Sequence, residues 1–266
     1  MSNAGSDYLQ SLERGLNVIT AFSAQAPLAT ISEIAAKTGL SRATSRRILL
    51  TLRELGYVRS DKRHFALTPK VLEIGSAYLS ALLLPDVAAP HIRSLAARFK
   101  ESSSVAVLDG TEIVYVARAP TRRIMTIALN IGSRLPAYCT SMGRVLMAHL
   151  PEEDVEQMLQ TIDFKQLTSR TITSERLLRK TLNDVRSRGW ALVDQELEEG
   201  VRSIAAPIRG GGEVIAAINV SAHAGRTSLE KTRSFLPELL RTAGRISDEL
   251  GFTATTVPGG RGSAGA

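Results

Sequence analysis

Six of the seven basic side chains between residues 42 and 63 are candidates to bind a polyanion. Arginine can donate a pair of hydrogen bonds to a guanine edge or to a phosphate, and lysine binds phosphate as a compact charge. The six candidates are Arg42, Arg46, Arg47, Arg53, Lys62 and Arg63, and Ser41, Ala43 and Thr44 lie beside them. This set predicts a contact with nucleic acid. The alternative is a solvated helix whose arginines only maintain solubility.

The positive charge of the chain is concentrated in this region. The 266 residues carry a formal net charge of +7, and residues 37–63 hold eight basic and two acidic residues, an excess of +6. Net charge alone indicates only non-specific attraction, so the clustering is the stronger evidence. Acidic partners at i,i+4 are absent for Arg42, Arg46 and Arg47, which argues against helix salt bridges as the reason for these arginines.

The arginines are predicted to lie on a helix over residues 41–55, with Ser41 as N-cap and Gly56 as the stop. At about 100° per residue, one face is expected to pack inward and another to carry charge. The inward face comprises Ser41, Thr44, Ile48, Leu52 and Leu55. Arg42, Arg46 and Arg53 cluster on a second side, and Arg47 projects in a third direction.

Neighbouring elements complete a winged helix-turn-helix. A first helix is predicted over residues 8–23, with Leu12, Leu16, Ile19 and Phe22 on one face. Thr30 and Glu33 form a capping-box pattern for a second helix that Gly39 ends, and only Leu40 separates that glycine from the next N-cap. β-prone flanks around Lys62 and Arg63 predict a hairpin, whose turn type stays open because Asn-Gly or Asp-Gly is absent.

In such a domain, the second helix of the motif enters the major groove with its N-terminal residues at the base edges. We therefore expect Ser41, Arg42, Ala43 and Arg46 near bases. Phosphate contacts are expected from Arg47, Arg53, Lys62 and Arg63, and the hydroxyl of Thr44 is a further DNA-binding candidate.

The rest of the chain predicts a linker helix and an α+β domain. The expected boundaries are a DNA-binding domain at 8–68, a linker helix at 69–85, a second domain at 86–251 and a disordered tail at 252–266. Strands are predicted at 104–108, 112–118 and 124–129 and in "WALVDQE", "RSIAAPI" and "VIAAINVS". Helices are predicted from Asp86 to Lys100, at 141–149, from near Pro151, from Ser174 to Arg188, and at 228–250. Helices flanking a mostly antiparallel sheet make the fold class α+β.

The segment "YCTSMGR" at 138–144 is a candidate anion site. Thr140 and Ser141 lie at a predicted helix start, where the backbone N–H groups around Ser141 and Met142 lack helical partners and favour anions. Arg134 and Tyr138 are close in sequence and join the candidate set. Ordinary N-capping with a structural arginine is the alternative.

Enzyme chemistry is poorly supported. The single cysteine, Cys139, has no neighbouring base in sequence and is better explained as a buried thiol. The four histidines lack metal-ligand spacing, so neither a metal nor a cofactor is expected. "RGGGE" lies between two strands and opens no helix, unlike a phosphate loop. The acids of "DQELEE" at 194–199 resemble a paired-carboxylate site but are better explained as an exposed strand end.

Several motifs resemble the IclR family of bacterial transcription regulators. "LERGLNVITAF", "TISEIAAKTGLSRATSRRILLTLRELGYV" and "FALTPKVLEIGSAYL" resemble its DNA-binding half, and "LPAYCTSMGRVLMAHL" and "GWALVDQELEEGVRSIAAPI" its effector-binding half. The resemblance spans about residues 8–250, with motifs of both halves in order. Within the family, "RIMTIALNIGSRLPAYCTSMGRVL" is most similar to the PcaR/PcaU/PobR group, which regulates aromatic-acid catabolism by the β-ketoadipate (protocatechuate) pathway.

The resemblance implies a GAF/PAS-like second domain that holds a small organic acid. The implied positions are the helix-start residues Ser141 and Met142 and the strand residues Ser203, Asn219 and Ser221. Two departures matter. The wing turn lacks the usual glycine, and Val193 stands where the family often has an acid. Asp194 is adjacent but should point to the opposite strand face, so a less acidic pocket suited to a dicarboxylate is expected.

The partners expected are a pseudo-palindromic duplex operator, an organic acid (a dicarboxylate or an aromatic acid), and further copies of the chain as a dimer or dimer of dimers. A single cysteine fits a reducing compartment. No signal-peptide pattern or apolar run of about 18 residues occurs, so a cytoplasmic protein without a membrane partner is expected. The other hypotheses are a small-molecule enzyme whose basic domain binds RNA or a protein, and a regulator that binds no ligand.

Overall fold

The computed structural model describes residues 8–23, 26–75, 83–121 and 129–256, with side chains to residue 251. The chain divides into two compact units, at residues 1–81 and 82–266. The predicted fold class is confirmed, since a helix-turn-helix unit precedes an α+β unit.

The N-terminal unit is a three-helix domain with a small sheet. Its strand order is β1-β3-β2, with all pairs antiparallel. The elements are α1 (Gln10–Thr20), β1 (Ala29–Thr30), α2 (Ile31–Thr38), α3 (Arg42–Glu54), β2 (Val58–Asp61) and β3 (His64–Leu67). A core that includes Val18, Ile34, Leu49, Val58 and Phe65 joins helices and hairpin.

The local signals of the helix-turn-helix are confirmed. The Thr30 backbone N–H donates to Glu33 Oε2 at 2.7 Å, and the Glu33 N–H donates to Thr30 Oγ1 at 3.3 Å. The Thr30 hydroxyl also donates to Glu33 Oε2, at 2.9 Å, and the two bonds from Thr30 to this oxygen lower the pKa of the Glu33 carboxyl. Gly39 ends α2 in the left-handed region, and Ser41 caps α3 through a 3.1 Å bond from the Thr44 N–H.

The predicted inward faces of two helices are only partly right. Ile19, Phe22, Ile48 and Leu52 pack in the core as predicted, but Leu12, Leu16 and Leu55 are about half exposed or more, at 60%, 47% and 53%. The buried residues of α3 are Leu52, which was predicted, and Ser45 and Leu49, which were not. Ile48 and Leu49 are equally apolar, so periodicity alone does not select between faces about 100° apart. The contact with α2 and the hairpin core selects the face that carries Leu49.

The predicted linker helix at 69–85 is only partly described. Residues Pro69–Val71 form a 3₁₀ turn capped by Thr68, and residues 72–75 are α-helical, as predicted. Residues 76–82 lie outside the described residues. Pro85 does not end a helix but stands in the first turn of α4 (Leu84–Phe99), with Asp86 inside that turn and not at its cap. Proline fits there because first-turn N–H groups need no helical partner.

The C-terminal unit is built on a six-stranded antiparallel sheet of order β6-β5-β4-β9-β8-β7. The strands are β4 (Ser102–Asp109), β5 (Glu112–Ala119), β6 (Arg134–Pro136), β7 (Ala191–Asp194), β8 (Val201–Gly210) and β9 (Glu213–His223). The further helices are α5 (Ser141–Ala148), α6 (Glu152–Thr161), α7 (Glu175–Arg188), α8 (Leu229–Arg233) and α9 (Leu236–Thr256). One sheet face packs on α4 and α9, and the other on α5, α6 and α7.

Three features of the C-terminal unit differ from the predictions: the final helix is divided, its second part is longer, and one strand was not predicted. The predicted final helix at 228–250 is two helices, because Pro237 lacks an N–H and its ring conflicts with the carbonyl of Arg233, the last residue of α8. The second of these helices continues to Thr256, into the predicted tail, whose remaining residues 257–266 lie outside the described residues. The short strand β6 was not predicted, and the predicted strand at 124–129 falls almost entirely on residues outside the described ones.

"RGGGE" forms the tight turn between β8 and β9. Gly211 and Gly212 have φ values of 61° and 92°, which side chains rarely adopt. Two consecutive residues with positive φ match the twist of a two-residue hairpin turn. The interpretation of this segment as a loop is confirmed.

Candidate nucleic-acid interface and effector site

One groove of the N-terminal unit collects most of the predicted DNA-binding cations. Arg42, Arg46 and Arg53 of α3 and Lys62 and Arg63 of the hairpin line it together. All five side chains are exposed, and Thr30, Ser32 and Ser60 add hydroxyl groups. The groove therefore has the charge and the donors to contact a phosphate backbone.

These cations are not neutralised inside their own unit. Within the described residues, none of the five forms a salt bridge with a carboxylate. Arg53 has only a long 3.5 Å contact from Nη1 to Ser60 Oγ. The positive potential of the groove is thus available to an external anion.

The hairpin turn consists of Lys62 and Arg63 alone, because Asp61 pairs directly with His64. Lys62 has φ of 52°, the left-handed region that disfavours residues other than glycine. The turn therefore places both cations at the tip of the wing at a cost in backbone strain.

Two other predicted residues, Thr44 and Arg47, face a different groove. They lie beside Leu12, Leu16 and Ile48, between α1 and α3. Ser41 caps α3, and Ala43 is exposed in its first turn. Arg47 and Thr44 are thus separated from the five cations that line the groove beside the wing.

A small cavity lies at the start of α5, against strands of the sheet. It encloses about 20 Å³, room for roughly one water molecule. Its lining is a mixture of hydroxyl, amide and apolar groups, contributed by Tyr115, Cys139, Thr140, Ser141, Met142, Val193, Leu197, Val201, Ser203, Asn219 and Ser221. Five of the predicted effector residues are therefore brought together although they are far apart in sequence.

The first backbone N–H groups of α5 are available to a hydrogen-bond acceptor. Thr140 caps the helix through a 3.1 Å bond from the Gly143 N–H, but the N–H groups of Ser141 and Met142 donate to nothing within the described residues. Gly143 allows this helix to approach the preceding 3₁₀ turn, because a Cβ there would lie 2.2 Å from the Ala137 carbonyl oxygen. Free amides at a helix N-terminus bind anions.

Strand side chains supply the remaining polar groups. Ser141 Oγ and Ser203 Oγ are 2.8 Å apart. The Asn219 Nδ2 donates to Ser221 Oγ at 3.0 Å, and the Asn219 Oδ1 accepts from the Ser104 N–H at 3.1 Å. These hydrogen bonds hold the walls of the cavity together.

Arg134 and Tyr138 do not line this cavity, contrary to prediction. Arg134 is exposed and bridges Asp109 and Glu112 at 2.8 and 2.7 Å, and its hydrogen bond to Glu112 raises its pKa. The Tyr138 hydroxyl donates to the Lys165 carbonyl at 2.6 Å. Proximity in sequence misled in both cases, since the strand and the 3₁₀ turn (Ala137–Cys139) direct these side chains elsewhere.

The face assignment of Val193 and Asp194 is confirmed. Val193 is buried and lines the cavity. Asp194 is bonded to Arg202 at 2.7 Å and also to Arg170. Although burial raises it, these arginines hold the pKa of Asp194 below its usual value. The lining of the cavity within the described residues therefore contains no carboxylate.

Sequence reasoning missed Tyr115, Leu197 and Val201 as lining residues. Tyr115 is the most informative, since burial raises its pKa to about 12 and keeps the phenol neutral. Its inward direction follows from the register of β4 and β5, in which Tyr115 lies opposite Ala106. No local pattern in the sequence distinguishes that direction.

A buried ion pair between Arg144 and Glu196 lies next to the segments that line the cavity. Arg144 donates from Nη1 and Nη2 to the two Glu196 oxygens at 2.7 and 2.6 Å, and from Nε to the Tyr138 carbonyl at 2.9 Å. Glu196 also accepts from the Ile172 N–H at 3.1 Å. The pair ties α5 to the turn before it and to the loops that follow α6 and β7.

Cys139 is expected to resist alkylation in the folded protein. It is fully buried, and burial raises its pKa to about 12. Near pH 8 it is therefore protonated, whereas the thiolate is the reactive form. Iodoacetamide labelling followed by intact mass should show modification only after unfolding in urea. Rapid labelling of the folded chain would contradict this assignment.

The described residues contain neither a metal-binding cluster nor a helix that could span a membrane. No group of three or more histidine, cysteine, aspartate or glutamate residues is placed to hold a metal ion among them. Nor does any helix in these parts of the chain have the length and apolarity needed to cross a membrane.

Comparison with known proteins agrees with the two units. The family model for the IclR helix-turn-helix domain matches residues 11–62, and that for the bacterial transcriptional regulator IclR C-terminal domain matches residues 76–248. The Pca regulon regulatory protein of Pseudomonas putida is 44% identical over 92% of this chain and 85% of its own length.

Solved structures show the same architecture. A transcriptional regulator structure from Rhodococcus sp. RHA1 matches with a TM-score of 0.82 and 51% identity, covering 92% of this chain and all of the other. An IclR homologue from Microbacterium hydrocarbonoxydans, solved with 4-hydroxybenzoate, matches with a TM-score of 0.80 and 26% identity. That match covers 90% of this chain and 98% of the other.

Proposed function

The chain belongs to the IclR family of DNA-binding transcriptional regulators, and we propose that it controls aromatic-acid catabolism genes in response to a small organic acid. Members of this family are regulators, so the chain is not an enzyme. The similarity to the Pca regulon regulatory protein of Pseudomonas putida and to the Microbacterium homologue that binds 4-hydroxybenzoate supports the aromatic class. The DNA-binding domain is assigned within residues 1–81 and the effector-binding domain within residues 82–266.

The DNA contact is assigned to the groove between α3 and the wing. Arg42 and Arg46 stand near the N-terminus of α3, the part of a recognition helix that meets base edges. Arg53, Lys62 and Arg63 bind phosphates from the C-terminal part of that helix and from the wing. The operator is pseudo-palindromic and the chain binds it as a dimer or a dimer of dimers, in the cytoplasm on the nucleoid.

The effector is assigned to the cavity at the start of α5. The observation that carries this assignment is the pair of free amides at Ser141 and Met142, faced by Ser203, Asn219 and Ser221 in one closed site. Because the cavity has room for only about one water molecule, an effector enters by separating Ser141 from Ser203 and by moving the flexible Met142 side chain. That rearrangement shifts α5 and links binding to DNA affinity.

A duplex selected from random sequence by the wild-type chain provides the test. Its affinity is measured with and without 4-hydroxybenzoate, protocatechuate or β-ketoadipate, and thermal shift reports direct binding, since a ligand of the native state stabilises it. We expect at least one acid to raise Tm and to change operator affinity. Preference for RNA over duplex DNA, or turnover of an acid, would overturn the proposal.

Lys62→Ala is expected to weaken binding to all duplexes similarly and to lower the salt slope of log K by about one, because the wing tip contacts phosphate. The measurement is fluorescence anisotropy over a salt series on selected and scrambled duplexes. Lys100→Ala is the matched control, since Lys100 also has a left-handed backbone, with φ of 55°, but lies in the C-terminal unit. A loss confined to the selected duplex would assign Lys62 to base reading.

A further inference from the structure

Arg118 of β5 is a partly buried cation that also lines a groove beside α4. Its Nε and Nη1 atoms are shielded from solvent and have no hydrogen-bond partner within the described residues. A guanidinium stays protonated and carries five donors, so its burial without an acceptor is costly. Burial lowers the pKa of Arg118, while the nearby Tyr115 raises it. An arginine that only stabilises the fold would be expected to donate to an acceptor within the protein.

Strand register places Arg118 on the face that bears the cavity. Arg118 lies opposite Ser104, and Ser104 lies opposite Asn219, a cavity residue. Residues directly opposite each other in antiparallel pairs point to the same face. Two strand spacings of about 4.8 Å separate Arg118 from Asn219, so a small ligand lying over Ser104 would be within reach of both side chains.

A bulge brings Tyr115 to the same face as Arg118. Residues three apart in a regular strand point to opposite faces. Here the register shifts between Val105 and Ala106, so Tyr115 lies opposite Ala106 while Arg118 lies opposite Ser104. Since Ala106 and Ser104 share a face, their partners do too. The irregularity thus sets a cation beside the phenol that lines the cavity.

Two other arginines near the cavity already have carboxylate partners. Arg144 is paired with Glu196 in a two-pronged ion pair, and Arg202 is paired with Asp194. No carboxylate lines the cavity within the described residues. An anionic ligand in the cavity would give Arg118 the acceptor that these two arginines already have.

We infer that Arg118 binds the carboxylate of the effector at the Tyr115 end of the cavity, while the Ser141 and Met142 amides bind an oxygen at the opposite end. This inference rests on the proposed function and specifies its ligand: an acid with a carboxylate at one end and a second acceptor at the other. A hydroxybenzoate and a short dicarboxylate both meet this requirement.

The test compares Arg118→Met and Arg134→Met in the full chain, with 4-hydroxybenzoate and its uncharged amide as probes for calorimetric titration. Arg134 is the control because it lies on the same sheet but is exposed and paired with Asp109 and Glu112. We expect Arg118→Met to lose about tenfold or more in affinity for the acid and to bind the amide within about twofold of wild type. Arg134→Met should leave both affinities unchanged.

The Tm of the ligand-free protein gives a second measurement. If Arg118 had a structural role, Arg118→Met would lower this Tm. Removing an uncompensated buried charge should raise Tm, by about 2–4 °C for a domain of this size. Retained preference for the acid in Arg118→Met, or a Tm below wild type, would overturn the inference. If wild type binds neither probe, the proposed aromatic effector is wrong, and a rise or fall in Tm still decides whether Arg118 is an uncompensated cation.

Discussion

Arg144→Leu is expected to lower the free energy of unfolding of the C-terminal unit by about 3–5 kcal/mol, because it leaves Glu196 buried without its counter-ion. The side chains of Arg144 and Glu196 are 3% and 10% exposed, so water cannot replace the lost partner. The same change frees the Tyr138 carbonyl, which precedes the amides of the effector site. Urea unfolding followed by fluorescence of Trp190, the one tryptophan of the chain, measures the effect in this unit.

Two variants sharpen this experiment. Arg241→Leu removes an exposed arginine that is paired with Glu238 and should change stability by less than about 1 kcal/mol. Arg144→Leu combined with Glu196→Leu should recover much of the loss, because no charge then remains buried alone. A small effect of the single change, or no recovery in the double variant, would show that the pair does not hold the unit together.

Arg42→Ala is expected to cost about 1–3 kcal/mol in operator binding and to relax sequence preference at the bases that it contacts, since a bidentate arginine contact discriminates guanine from other bases. Arg46→Ala is expected to act similarly, one turn along α3. Affinities for the selected duplex and its single-base variants, measured at one salt concentration, give the preference directly. An unchanged ranking of the variants would remove Arg42 from base reading.

Arg47→Ala is the matched control for this pair. It removes the same charge from the same helix, but Arg47 lies in the groove between α1 and α3 and not beside the wing. We expect the ratio of affinities for selected and scrambled duplexes to stay within about twofold of wild type, because phosphate contacts carry no sequence information. A loss of discrimination as large as that of Arg42→Ala would place bases on the other side of α3.

Local signals predicted the N-terminal unit well. The capping box at Thr30, the stop at Gly39 and the cap at Ser41 depend on residues within four positions of each other, so a single sequence contains them. The assignment of Leu55 to the core failed, because the buried side of α3 depends on where α2 and the hairpin lie. Two adjacent aliphatic residues leave that choice open until tertiary contacts are made.

The effector site shows the opposite balance. The resemblance to the family placed Ser141 and Ser203 in one site, and their hydroxyls are 2.8 Å apart although 62 positions separate them. Arg134 and Tyr138 were added because they are close in sequence, and the structure directs both away. Tyr115 and Arg118 were not predicted, because their inward direction depends on a bulge in the pairing of β4 with β5.

The sequence by itself determined the order of the elements, the cluster of cations around α3 and the family of the chain, because caps, periodicity and motifs are properties of neighbouring residues. The tertiary structure alone decided which cations share a groove, with Arg42, Arg46 and Arg53 beside the wing and Arg47 apart from them. It also decided which polar groups meet inside the C-terminal unit. The physical reason is that strand register and helix rotation are set by the packing of distant segments. A one-residue shift exchanges the two faces of a strand and turns a helix by about 100°.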